Sequence, residues 1–282
     1  MSHDTRLEKR RFKFSEHARQ QILNHQLHDQ FLLSRSGAIN KNLHLLQNDQ
    51  AARMRLWTEI EAQESLDGNS PLIEHGLRKL REIIITVDSE SYCDVEFRTL
   101  AARVCEKTVQ FYSRRGEHHK SYPFLKFYVH NLLIYDASEA LSQELAICCA
   151  LYISHYAHDI SLCLSLLRSQ MSDFTLHELC KTLSLVYCIK NEPSCVWFRA
   201  MTQIPASSLV RQFLETLPAF EEMKQRTIQM VSSSYNQISI SFLSAYWFSG
   251  LWADLEPQIS QKWSIETLKT GTRVVKFKSK RS

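Results

Sequence analysis

Glycine and proline are scarce in this chain of 282 residues, which contains only 6 of each. Folds built from many short strands need frequent turns, and nucleotide-binding α/β folds need glycine-rich loops before their helices. The glycines also stand far apart, so neither a dinucleotide-binding fingerprint nor a Walker loop can be written anywhere in the sequence. The sequence therefore predicts a mainly α-helical protein and excludes these two routes to nucleotide binding.

The periodicity of apolar residues divides the chain into three parts, residues 1–70, 71–205 and 206–282. The first part is polar and helix-forming, and it ends at a run of Asp, Gly, Asn, Ser and Pro where no periodic pattern continues. In the second part, apolar stripes at helical spacing recur between short turns. Helices that are too apolar on one side to stand alone stack on each other, so this part predicts a right-handed helical-repeat (solenoid) array.

The third part predicts helices followed by a small β-hairpin. Ser207 or Ser208 can cap a helix with apolar residues at every third or fourth position, and Pro218 is expected to kink or divide that helix. Two short helices are predicted at 239–248 and 253–261. Apolar and polar residues then alternate on either side of a Thr-Gly-Thr turn, as in two paired strands. Three helices and a hairpin are the plan of a winged helix.

Several features occur together in residues 183–280, about a third of the chain. They are a helix pair at 187–198, Ile-Pro at 204–205, a long helix ending at 226–231, the run Ser-Tyr-Asn-Gln-Ile-Ser-Ile at 234–240, and Trp263 before the predicted wing. This combination resembles the C-terminal half of PCI domains, in which a helical-repeat array runs into a winged helix.

The resemblance implies a non-catalytic scaffold subunit of a large complex. Family members of this compact size are typically subunits of the proteasome lid, of the signalosome or of translation initiation factor 3, and a related branch comprises mRNA-export scaffolds near nuclear pores. The implied partners are other subunits that themselves contain PCI domains, and the implied location is the nucleus and cytoplasm. The sequence does not decide between these branches of the family.

In PCI assemblies the winged helices line up edge to edge. The resemblance therefore implies a partner-binding wing edge near Val274, Val275 and Phe277, because an unpaired strand edge presents free N–H and C=O groups to a neighbouring strand. The alternative is that Val275 and Phe277 cover the core of the winged helix while neighbouring lysines keep the edge soluble.

Positive charge is concentrated at the C-terminal end. The chain has a formal net charge of +4, but residues 269–282 alone carry +6, which leaves −2 for the remainder. A winged helix with such a patch suggests an alternative function, a nucleic-acid-binding adaptor of the mRNA-export type. A solvated tail or a strip that meets an acidic protein explains the same charges. The candidate nucleic-acid contacts are Lys269, Arg273, Lys276, Lys278, Lys280 and Arg281.

Catalytic motifs are absent from the sequence. His155 and His158, with Asp159 and Cys163 nearby, are the closest approach to a metal site, but no third ligand at a recognisable spacing accompanies them. Ordinary helix-face histidines explain the pair. No cysteine follows a glycine elbow, and no C-x-x-C pair occurs among the 8 cysteines. The sequence therefore predicts no enzyme activity, no metal and no cofactor, with cysteines that are mostly buried, reduced thiols.

No segment of the sequence predicts membrane insertion. The first thirteen residues are polar and basic, and the longest uncharged apolar run, residues 145–158, contains Ser, Tyr and His and is too short to span a bilayer. The expected protein is soluble.

Overall fold

The computed structural model describes residues 27, 46–136, 139–170, 174–190, 192–252 and 254–277. The described chain is mainly helical, with a small three-stranded antiparallel sheet near the C-terminus. The prediction of a mainly α-helical protein is therefore confirmed. The chain divides into two compact units, Met1–Phe111 and Tyr112–Ser282. Among the described residues, no helix combines the length and the apolar character needed to cross a membrane.

The helices of the first unit begin at side-chain caps. The carboxylate of Asp49 accepts a hydrogen bond from the Ala51 N–H at 2.8 Å, and Ser70 Oγ accepts one from Leu72 N–H at 3.3 Å. Asp94 accepts a hydrogen bond from the Glu96 N–H at 3.0 Å in the same way. These helices are α1 (Gln50–Leu66), α2 (Pro71–Thr86) and α3 (Val95–Arg114), the last of which continues past the unit boundary.

The second unit is organised around a helix that is buried on all sides. Helix α5 (Ala140–His155) contacts its sequence neighbours and also helices far along the chain, and 13 of its 16 residues are buried. A helix in such a central position needs apolar residues on all of its faces, not on one stripe alone. The surrounding helices are α4 (His118–Asn131), α6 (Ile160–Gln170), α7 (Phe174–Cys188), α8 (Ser194–Thr202) and α9 (Leu209–Thr216).

Proline divides the next helical stretch, as the sequence predicts. Ser208 caps α9 by accepting a hydrogen bond from the Val210 N–H at 3.2 Å, and the helix ends at Thr216. A new helix, α10 (Pro218–Ser234), starts with Pro218 in its first turn, where the missing N–H has no helical partner to lose. Leu217 between them is extended, because the residue before a proline disfavours the helical region.

The C-terminal sheet has the strand order β1-β3-β2. Strand β1 (Gln237–Ser239) leads into α11 (Ile240–Phe242), which a π-helical turn, Leu243–Trp247, continues. Helix α12 (Leu255–Ser260) precedes the hairpin of β2 (Ser264–Thr267) and β3 (Arg273–Lys276), which the sequence predicts. Strand β1 was not predicted, because three residues are too short for an alternating pattern.

Candidate interaction surface

The residues expected at the wing edge lie on the central strand of the sheet. Strand β3 pairs with β1 through Val275 opposite Ile238 and with β2 through Val275 opposite Ile265. Val274 and Val275 are buried, and Phe277 is half-buried with its ring edge-on to Trp263 at 5.2 Å. The expectation of an unpaired edge on this strand is therefore wrong, because β1 occupies the side that the sequence left open.

The longer unpaired edge belongs to β2. The Leu268 N–H donates to Thr272 O at 2.9 Å, and hydrogen-bonded pairs alternate along an antiparallel ladder. Given the register of Thr267 opposite Arg273, the N–H and C=O groups of Ile265 and Thr267 point away from β3. In the described part of the chain, no third strand pairs with this side of β2.

Two of the basic residues of the hairpin are already held by carboxylates. Arg273 Nη1 donates to Glu256 Oε2 at 2.9 Å, and Lys276 Nζ lies 2.6 Å from Glu266 Oε2. Lys269 is exposed in the turn between the strands. The other three expected nucleic-acid contacts, Lys278, Lys280 and Arg281, lie outside the described residues. The hairpin therefore offers less uncompensated positive charge than the sequence suggests.

An aromatic cluster next to the sheet was not predicted from the sequence. Tyr235, Phe242 and Tyr246 are 37%, 45% and 44% exposed. The rings of Phe242 and Tyr246 stack at 5.0 Å with an interplanar angle of 7°. Trp247 is buried beneath them, with its ring edge-on to Tyr235 at 6.3 Å and to Tyr246 at 5.8 Å. The only sequence signal was the four-residue spacing of Phe242 and Tyr246, which places two side chains on one helix face.

His155 is a buried core residue rather than a free ligand. Trp197 Nε1 donates to His155 Nε2 at 3.1 Å, so the proton of the neutral ring sits on Nδ1, which lies 2.8 Å from Ser154 Oγ. Tyr187 stacks on the His155 ring at 4.6 Å and on His158 at 5.7 Å. Within the described residues, no three His, Cys, Asp or Glu side chains are arranged to hold a metal ion.

The burial of His155 makes stability depend on pH. Burial lowers the pKa of His155 from 6.5 to about 3, whereas the unfolded imidazole takes up its proton near pH 6.5. Between these values the unfolded state binds more protons, so the folded state is fully favoured above pH 6.5 and loses stability as the pH falls. His118, whose pKa is also lowered by burial, acts in the same direction.

We therefore expect the free energy of unfolding to fall from pH 7 towards pH 5, with a slope from His155 that approaches about 1.4 kcal/mol per pH unit. Urea unfolding at several pH values measures this slope. His155→Gln, which keeps an acceptor for Trp197, should flatten the profile while the His118 contribution stays. An unchanged slope in this variant would contradict the assignment.

Most cysteines are buried thiols. Burial raises the pKa of Cys149 to about 12 and that of Cys188 to about 11. Hydrogen bonding from Cys180 lowers the pKa of Cys163 to about 7, but the Cys163 side chain is fully buried. Cys93 is exposed, contrary to the general expectation of burial. All eight cysteines lie in the described part of the chain, and none of them forms a disulfide there.

Glu221 and Glu222 line an open groove. Tyr187 Oη donates to Glu222 Oε2 at 2.5 Å, and Cys188 and Arg226 also border the groove. The raised pKa of Cys188 keeps its sulfur protonated near neutral pH. The groove therefore holds no activated nucleophile at this cysteine.

No family model matches the sequence, and comparisons with curated proteins and with solved structures found no significant match.

Proposed function

We propose that this chain is a non-catalytic PCI-type scaffold subunit that helps to assemble a large complex of the proteasome-lid, signalosome or initiation-factor type. The observation that carries the proposal is the C-terminal module, residues 218–277, with its unpaired edge on β2. Other PCI-containing subunits are the proposed partners, in the nucleus and cytoplasm.

The order of elements in the module supports a winged helix. A long helix, α10, is followed by β1, two short helices, β2 and β3, and the last strand inserts between the first two. The 268–272 turn between β2 and β3 takes the place of the wing, with Gly271 in the left-handed region at φ 79°. This order of elements supports the arrangement that the PCI resemblance implies.

Packing of the preceding helices supports a helical array upstream of this module. Helix α5 packs on α6, α7 packs on α8, and α5 and α7 pack on each other. Large apolar side chains remain exposed on this part of the chain, with Ile134 at 75%, Leu162 at 47% and Ile189 at 53%. In the proposed function, these side chains and the β2 edge meet other subunits.

The charges of the hairpin give less support to the alternative function, a nucleic-acid-binding adaptor, than the sequence suggests. The ion pairs of Arg273 with Glu256 and of Lys276 with Glu266 already use two of the cations on which it relies. Such an adaptor would need contacts to bases from residues outside the hairpin.

Affinity purification of the tagged full chain from its native source, with identification of the co-purifying subunits, tests the scaffold proposal. Thr267→Pro removes an outward N–H and puts a ring where a neighbouring strand would approach. We expect it to weaken partner capture by about tenfold, which corresponds to the net loss of one hydrogen bond, without affecting thermal unfolding.

Thr267→Val is the matched control, because it keeps the N–H and the branched side chain, and it should retain the partners. Retention of the same partners by Thr267→Pro would exclude the β2 edge. A chain that purifies with no stoichiometric partner would overturn the scaffold proposal as a whole.

A further inference from the structure

A groove in the C-terminal module is not used by the scaffold proposal. It lies between α10, α12 and the start of β2, with Trp252 and Trp263 among its lining residues, and we call it the tryptophan groove. Its volume of about 590 Å³ is typical of sites that hold ligands. Ile228 and Ile259, both buried, form part of its wall. The groove therefore has the size and the apolar wall that a bound side chain needs.

The tryptophan groove is bordered by a hydrogen-bond donor that has no acceptor. Trp252 is 6% exposed, and no described residue accepts a hydrogen bond from its Nε1–H. Its ring lies edge-on to Phe248 at 4.8 Å. An indole nitrogen can only donate, and a buried donor without a partner is costly, so buried tryptophans normally have one. A ligand that brings an acceptor into the groove would supply the missing partner.

The polar lining of the groove consists of one cation and three neutral amides. Lys262 is exposed, with its ammonium 5.3 Å from the centre of the Trp263 ring, and it has no carboxylate partner among the described residues. Gln225, Gln258 and Gln261 contribute the amides, and no described aspartate or glutamate lines the groove. An ammonium without a carboxylate partner favours a ligand that carries negative charge.

A second lysine beside the groove adds little to this attraction. Lys224 Nζ lies 5.2 Å from the centre of the Trp252 ring, but it is also 3.1 Å from Glu221 Oε2. Because this ion pair compensates the charge of Lys224, the attraction for an anion comes mainly from Lys262.

From these observations we infer that the tryptophan groove binds an extended acidic peptide segment of a partner protein. A carboxylate of the segment would lie at Lys262, and one of its backbone carbonyls would accept from Trp252 Nε1. The glutamine amides would pair with peptide groups, which carry the same donor and acceptor atoms. An apolar side chain of the segment would pack on Ile228 and Ile259. A single uncompensated lysine suits one carboxylate better than the row of phosphates in a nucleic acid.

Random peptides displayed on phage and selected against the full chain at about 50 mM salt test the inference. The selected peptides should share an aspartate or glutamate next to an apolar residue. A labelled synthetic peptide of the most frequent sequence is then titrated with the full chain, and fluorescence anisotropy measures its affinity. Replacing its acidic residues by asparagine or glutamine should weaken binding by at least about tenfold.

Substitutions in the groove should change the affinity for the same labelled peptide. Lys262→Glu should weaken binding by at least about tenfold, whereas Lys262→Arg should retain it. Lys126→Glu, the same change of charge at an exposed lysine of α4, is the matched control and should bind like the unmodified chain. Trp252→Phe keeps a ring but removes the N–H, so it should weaken binding by about three- to tenfold. If Trp252→Phe lowers stability, the exposed Lys262 still provides the test.

Selection of no common acidic sequence, equal binding of the neutral peptide, or unchanged binding by Lys262→Glu would each overturn the inference. Self-association of the chain that Lys262→Glu abolishes would assign the groove to a second copy instead. Binding of an oligothymidine, but of no acidic peptide, would assign it to nucleic acid.

The inference is independent of the scaffold proposal. Thr267 does not line the groove, so Thr267→Pro should leave peptide binding unchanged. Failure of the peptide test and failure of the scaffold proposal can therefore be told apart.

Discussion

Replacing Trp197 by alanine is expected to lower the free energy of unfolding by about 3–5 kcal/mol. Trp197 is fully buried and packs edge-on against Phe198 at 5.1 Å, so its removal leaves a large cavity in the second unit. The substitution also removes the N–H from which His155 Nε2 accepts a hydrogen bond, leaving a buried acceptor unsatisfied. Urea unfolding followed by circular dichroism measures the change.

Trp197→Phe separates these two effects, because it fills most of the volume but cannot donate to His155. It should lower the free energy of unfolding by about 1–3 kcal/mol, between the unmodified chain and the alanine variant. Ile134→Ala, at a side chain that is 75% exposed, should change it by less than about 0.5 kcal/mol. A loss below about 1 kcal/mol for Trp197→Ala would show that this part of the core is not packed as described.

Gly76→Ala is expected to destabilise the first unit by about 1–3 kcal/mol, although alanine normally favours a helix over glycine. A Cβ at Gly76, within α2, would lie 2.6 Å from Ile60 Cγ1 and 2.8 Å from Ile60 Cδ1. Both distances are too short for carbon atoms, so the Ile60 side chain or the two helices would have to shift. Urea unfolding of the full chain measures the loss.

The Ile60→Ala background provides the matching control, because it removes both clashing carbons. In that background, Gly76→Ala should become neutral or stabilise by up to about 1 kcal/mol, through its better helix propensity. The reversal of sign is the expected result of this double-mutant cycle. A Gly76→Ala effect that is the same in both backgrounds would contradict close packing of the two helices at this point.

Signals between residues close in sequence predicted much of the fold. Ser208 caps a helix as expected, and Pro218 divides a helix as expected, because capping and proline geometry depend only on neighbouring residues. The hairpin of β2 and β3 was predicted from alternation around Gly271. Each of these features depends only on residues a few positions apart in the sequence.

The candidate sites depended on contacts between distant residues and were predicted less well. Whether Val275 lies at an edge or in the centre of the sheet depends on β1. Even Ser239, the residue of β1 nearest to Val275 in the sequence, is 36 positions earlier. Likewise, nothing near His155 in the sequence indicates that Trp197 donates to its ring, 42 residues later. The alternation and helical spacing that guide sequence analysis carry no information on such pairings.

By itself the sequence determined a helical chain with a β-hairpin near its C-terminus, since glycine and proline content, caps and apolar periodicity act locally. Only the tertiary structure decided that β3 is central, that Arg273 and Lys276 are paired with carboxylates, and that Phe242 and Tyr246 stay exposed. The physical reason is that strand order, ion pairing and burial depend on which surfaces meet when the chain packs. Packing brings together residues that are far apart in the sequence.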